Sequence, residues 1–212
     1  MTSDNDVRRL LSAARLAPYV AAGECLGCDP LGLYSWNVSV SAAFFEDLHY
    51  LEVGLRNTID DSLQERFGSG GEWFDSPGLL SLRSRRAVAE ARRRARLGSG
   101  GAATHGKTVA ELPFGFWWSL LADEYNRSLW QPALQHALHG PVRRRTLHER
   151  VDDLRRLRNR IAHHEPIHTR DLHADHANLL DTATRVHPAL ATHISQRSRV
   201  PKALATRPGR GE

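Results

Sequence analysis

One stretch of the chain leaves little choice of fold. From about Ser39 to Phe67, Phe44, Leu48, Leu51, Leu55, Ile59 and Leu63 recur three or four residues apart with no proline among them. That period is helical, not the alternation of a strand, and it puts one continuous apolar stripe on a helix many turns long. A stripe of that length has to be covered by other helices. The rest of the chain supplies them: residues 6–22 carry Val7, Leu10, Leu11, Ala14 and Leu16 at helical spacing, and 79–97 reads as an arginine-loaded helix closed by Gly98, Gly100 and Gly101. A Gly/Pro-rich loop is expected from about residue 23 to Leu33, and another at 68–78. Thr108 is expected to cap a short helix, and Pro113 to lie at a second helical start at Phe114. Phe114, Phe116, Trp117, Trp118 and Trp130 read as core. A helical hairpin is expected over 170–197, interrupted near Pro188. Residues 198–212 lack apolar periodicity and are expected to be a disordered basic tail. There is no internal repeat and no strand pattern, so the expectation is an all-α bundle.

A second helix, entered after Gly140-Pro141, carries the residues of greatest chemical interest. Leu147, Val151, Leu154, Leu157 and Ile161 form its seam, and the segment Leu157 to Pro166 reads LRNRIAHHEP. At about 100° per residue, Arg158 projects close to the middle of the apolar stripe. A guanidinium stays charged at any useful pH and is costly to bury without partners, so helix formation alone does not ask for it there. The helix is expected to run to His164 or Glu165, where Pro166 stops it. His163 and His164 follow Arg158 by more than about 100° around an ideal helix, so geometry does not choose between them; near a helix end either ring can swing back. The bland reading is a helix terminus whose histidines complement the dipole.

Arginine with histidine suits RNA cleavage without a metal. An imidazole of pKa about 6.5 takes the proton from a ribose 2′-OH or returns one to the leaving 5′-oxygen. The guanidinium fork stabilises the phosphate in the transition state. The products of such a reaction are a 2′,3′-cyclic phosphate and a 5′-hydroxyl.

The window resembles the R-x4-6-H motif of HEPN-domain ribonucleases, and the chain around it is similar to the Abi-like (AbiD/AbiF type) abortive infection proteins of bacteria. Tyr34-Ser35-Trp36-Asn37, Leu51-Glu52-Val53-Gly54-Leu55-Arg56-Asn57 and Leu112-Pro113-Phe114-Gly115-Phe116-Trp117-Trp118 carry the likeness further, over roughly residues 30 to 195. The resemblance implies a HEPN-type helical bundle with additional helices, in a domain of residues 31–197 preceded by an N-terminal helix and loop. It implies an endoribonuclease that acts as a toxin-like effector of phage defence, with Arg158 and His163 as catalytic residues and His164 as the second choice of histidine. Asn159 matches the polar residue that usually follows the arginine and is suited to contact the phosphate or orient the histidine. Two such motifs meet across a helical dimer in the family, so a homodimer is expected, with Arg158 and His163 of both chains facing each other across the twofold axis.

Glu52 lies on the apolar stripe of the long helix, and its carboxylate needs a partner there. Arg56 is one turn on. The pair resembles a second HEPN signature, E-x3-R, which implies that Glu52 orients Arg158 or Arg56 and that Arg56 and Asn57 border the path of the phosphate. The simpler reading is an ion pair on a helix surface.

The formal charge is +5, and 27 of the 29 basic residues are arginine. This balance permits an RNA partner without requiring one. Arg92, Arg93, Arg155 and Arg160 are the candidates for RNA contact, against the plainer reading of a solvated helix face. Two other patterns carry less. Cys25-Leu26-Gly27-Cys28 has no second pair to complete a zinc site. His164-Glu165-Pro166-Ile167-His168 fits H-E-x-x-H, but Pro166 forbids the continuous helix that signature needs. Neither metal nor cofactor is therefore expected. No apolar run approaches the ~20 residues of a membrane span. The N-terminus has no signal-like apolar region, and the expected location is the cytoplasm. Two other functions fit the same scaffold: a non-catalytic RNA-binding or interaction protein, and a toxin silenced by an antitoxin or inhibitory RNA.

Overall fold

The computed structural model describes residues 4–99 and 101–209, and among these it is all-α, with no strand. The organising element is α3 (Pro30–Phe67), a 38-residue helix that extends for about 57 Å at 1.5 Å per residue. It starts nine residues before the stripe read from the sequence. Asp29 caps it by accepting from the Gly32 amide at 2.8 Å, and Pro30 occupies the first turn, where its missing N–H costs nothing. The expected Gly/Pro-rich loop to Leu33 thus shrinks to Gly27–Asp29. Leu33, Val40, Phe44, Leu48, Leu51, Leu55, Ile59 and Leu63 are all at most 2% exposed.

The N-terminal segment is two helices rather than one, α1 (Asp4–Leu11) and α2 (Ala13–Leu26), separated at Ser12, whose φ of 71° breaks the helical path. Tyr19 of α2 is part of the same core as α3. After α3 the 68–78 segment is not a plain loop. Trp73 and Phe74 form a 3-10 turn and are buried; the Trp73 indole donates to Asp60 at 2.7 Å, and His105 meets the other oxygen of that carboxylate at 2.8 Å. The arginine-rich helix is α4 (Leu82–Ser99), and it packs on α5 (His105–Glu111). Thr104, not Thr108, caps α5; Thr108 is buried one turn inside, its hydroxyl donating to the Thr104 carbonyl. Then come α6 (Phe114–Ser119), entered from Pro113 as expected, a π-helical stretch Asn126–Leu134, and α7 (Gln135–Ala137). Of the aromatics expected in the core, Trp118 alone is only half-buried.

Helix α8 (Arg144–Ala162) buries Leu147, Val151, Leu154, Leu157 and Ile161 and packs on α3, α6 and α9 (Leu172–Val186). α9 and α10 (Pro188–Arg197) form the hairpin broken at Pro188.

The expected disordered tail is corrected by a further helix, α11 (Val200–Ala205), with Val200 fully buried. The Trp36 indole donates to the Ala203 carbonyl at 2.7 Å, Ser198 donates to Asp47 at 2.5 Å, and the Arg207 guanidinium lies 5.2 Å from the Trp36 ring. Six residues are too few to show a helical period, so docking rather than periodicity orders this segment. The expectation for 210–212 lies outside the described residues. No helix among the described residues is long and apolar enough to cross a membrane.

Candidate functional site

The antiparallel pairing of α3 and α8 brings Arg158 to Glu52. The Arg158 Nε lies 3.4 Å from the Glu52 carboxylate, with side chains 33% and 23% exposed. That Nε is buried without a well-aligned hydrogen bond, so the pair is an electrostatic contact with the guanidinium fork left toward solvent. Of the two partners the sequence left open for Glu52, this contact is to Arg158. Arg56 instead donates from Nε to Asn57 at 3.1 Å. Arg158, Glu52 and Arg56 share a pocket of about 160 Å³ with Phe45, Val53 and His49. His49 escapes a reading of the sequence because it lies off the seam, where a histidine looks like ordinary surface.

Helix α8 ends earlier than Pro166 requires. The last helical residue is Ala162, and His163 caps it. His164 takes φ = 57°, in the left-handed region. Its amide donates to the Ile161 carbonyl at 3.0 Å and that of Glu165 to the Arg160 carbonyl at 2.7 Å. These two bonds define a Schellman closure, with a histidine at the position usually given to glycine. Both His163 and His164 are exposed.

Beyond this turn the chain is held from α3. The side-chain oxygen of Asn37 accepts from two successive backbone amides, Ile167 at 2.9 Å and His168 at 3.1 Å. Asn37 is 4% exposed, Ile167 is fully buried, and His168 packs on the Tyr19 ring at 4.8 Å. The H-E-x-x-H histidines accordingly part company: His164 is on the surface turn and His168 is in the core. From α8 itself, Arg160 donates to the Pro166 carbonyl at 2.6 Å and sits 3.7 Å from Glu165. Asn159 is half-buried, its carbonyl accepting from the His163 amide.

Arg158 and the histidines do not share one pocket within the chain. His164 borders an apolar groove of about 800 Å³ lined also by Leu11, Tyr34, Val38, Phe45 and Ala162. Phe45 belongs to both hollows. Leu10, Val38 and Phe45 are 79%, 51% and 46% exposed, an uncovered apolar face beside the groove.

The arginines read as RNA contacts all have partners in the fold. Arg92 pairs with Glu72 and Asp75 and lies 4.8 Å over Phe74. Arg93 pairs with Glu90 at 2.7 Å. Arg155 bonds Asp152 at 2.6 Å and lies 4.4 Å over Trp118. Arg160 is committed to the turn. In the same run as Arg92 and Arg93, Arg83, Arg85 and Arg86 are exposed. Both thiols of the C-x-x-C segment are free.

Compared with models of known protein families, with curated proteins and with solved structures, the chain gives no match.

Proposed function

We propose that the protein is a metal-independent endoribonuclease of the HEPN type, working as a toxin-like effector of abortive infection. The observation that carries the reading is the placement of Arg158. Its charge is held at the half-buried edge of the α3–α8 seam by Glu52, on the same helix whose end presents His163 and His164 five and six residues later. Arg158 binds the scissile phosphate, and one histidine moves the proton between the 2′-OH and the 5′-oxygen.

Because Arg158 and His164 line separate hollows that meet at Phe45, with His163 exposed beside the second, the site is completed by a second copy. The uncovered face of Val38 and Phe45 is where the copies join, and each arginine works beside the partner's histidine-bearing turn. Arg56 and Asn57 border the phosphate. An antitoxin or structured RNA that covers this face would silence the enzyme.

RNA cleavage in excess EDTA tests the reading. Wild type is compared with Arg158→Ala, His163→Ala and His164→Ala, and the product ends are mapped. Cleavage by wild type leaving 2′,3′-cyclic phosphates, with loss of about 10²- to 10³-fold on removing Arg158, supports it. A folded, dimeric wild type that binds RNA without cutting it supports the non-catalytic alternative.

A further inference from the structure

We infer that Asn37 is a positioning residue for the histidine-bearing turn, and that α3 therefore sets both halves of the site. The inference rests on the ribonuclease reading for its consequence, but its geometry stands by itself. A Schellman closure satisfies the carbonyls at the end of α8. The chain then passes through Pro166, which has no donor, and enters the core, where the amides of Ile167 and His168 are cut off from water. Buried amides need acceptors. A single side-chain oxygen from a helix 130 residues away in sequence serves both, at 2.9 and 3.1 Å.

That pair of hydrogen bonds fixes where the turn leaves the helix. His164 is followed by only Glu165 and Pro166 before the anchored pair, and proline holds its own φ near −65°. Arg160 clamps the intervening Pro166 carbonyl at 2.6 Å. Between the helix end and the Asn37 anchor, His163 and His164 have little freedom to drift. Glu52, fifteen residues further along α3, holds Arg158 by charge, its carboxylate 3.4 Å from the guanidinium Nε. One rigid helix thus places the arginine through a carboxylate and the histidines through a carboxamide, neither of which touches RNA.

Asn37 falls in register with Leu33, Val40 and Phe44, on the buried seam. Leucine is accommodated at such a position by packing alone, so Asn37→Leu removes the acceptor with little other disturbance. Asn37→Asp keeps it. Amide hydrogen exchange of the full-length protein, followed by NMR, reads the anchor without reference to activity. In Asn37→Leu, exchange at Ile167 and His168 is expected to accelerate by at least about tenfold, while amides in the middle of α8 hold their wild-type rates. In Asn37→Asp both amides stay protected.

Steady-state RNA cleavage kinetics read the consequence. Asn37→Leu is expected to lose roughly 10- to 100-fold in kcat with KM for RNA altered less than about threefold, and Asn37→Asp to recover most of that loss. Unchanged exchange in Asn37→Leu overturns the anchor. Accelerated exchange with unchanged kcat overturns the positioning role. If wild type itself cuts no RNA, the ribonuclease reading fails and takes that role with it, a result distinguishable from failure of the anchor because exchange is scored separately.

Discussion

Arg158 on α8 and Glu52 on α3 meet at 3.4 Å, each side chain between a fifth and a third exposed. The contact holds the guanidinium at the seam without using up its hydrogen-bonding edge, which is the arrangement an anion-binding arginine needs. Glu52→Gln keeps the shape and removes the charge. Under the ribonuclease reading it is expected to lower RNA cleavage by about 10- to 100-fold through loss of aim. Folding stability is expected to change by less than about 1 kcal/mol, because a partly exposed pair without an aligned hydrogen bond contributes little. Parallel cleavage rates and thermal melts separate the two effects; a large loss of stability with unchanged cleavage would make Glu52 a structural residue.

His164 makes the opposite bargain. A non-glycine residue in the left-handed region costs about 1 kcal/mol, and the Schellman closure of α8 would be better served by glycine. His164→Gly is therefore expected to raise stability by roughly 1 kcal/mol, or about 2–4 °C in Tm for a domain of this size. Under the ribonuclease reading the same variant loses activity wherever His164, rather than His163, transfers the proton. Calorimetry beside the cleavage assay reads both. A drop in Tm would mean that the imidazole stabilises the turn.

The seams of α3 and α8 are legible in the sequence because an apolar period repeated over many turns survives any local ambiguity. So is the anomaly of two charges on those seams, Glu52 and Arg158, which prove to be partners. Asn37 carries the same signal, a polar residue in register with Leu33, Val40 and Phe44. Its role stays hidden because the clear apolar period begins only at Ser39, which leaves Asn37 in an apparent lead-in. Asp29 and Pro30 hold the missing cue, a cap followed by a proline in the first turn. The α11 segment is illegible for a different reason. Its order comes from what Trp36 and Asp47 offer it across the fold, which a local window does not contain. At the end of α8, Pro166 is the only terminator visible in the sequence, whereas the Schellman turn closes the helix sooner and leaves His164 outside it.

The Asp47–Ser198 contact that leads into α11 is expected to respond to pH. Asp47 is 2% exposed and accepts from Ser198 at 2.5 Å; burial pushes its carboxyl up to about 6, with Glu46 adding to the rise and Ser198 and Arg199 opposing it. An acid whose folded pKa lies above its unfolded value favours the folded state below the unfolded pKa. That stability is lost as pH rises through the folded value, here between about 4 and about 6. At about 1.4 kcal/mol per unit, the contribution has an upper limit of roughly 3 kcal/mol. Neighbouring His176, held below its usual range by burial, acts in the opposite sense, stabilising above its unfolded pKa and losing that stability as pH falls. Asp47→Asn isolates the acid. The difference in unfolding free energy between wild type and variant is expected to move against the wild type from pH 4 to pH 7. A pH-independent difference would show that Asp47 is not titrating in that range.

Phe45 decides whether the apolar face is an interface. It is 46% exposed on α3, borders both the Arg158 pocket and the His164 groove, and lies one side of a patch continued by Val38. Because the ring is already half in water, Phe45→Asp is expected to leave the monomer's stability within about 1 kcal/mol of wild type. A charge buried within a joined face costs far more. Sedimentation equilibrium is expected to show a dimer for wild type and a rise of at least about 100-fold in its dissociation constant for the variant, equivalent to roughly 2.7 kcal/mol. Cleavage is expected to fall in proportion to the lost dimer and to recover at higher protein concentration, the mark of a site that two chains build. A monomeric wild type that cleaves RNA at the same specific rate at every concentration would place the whole reaction within one chain, where His49 is the histidine that shares a pocket with Arg158.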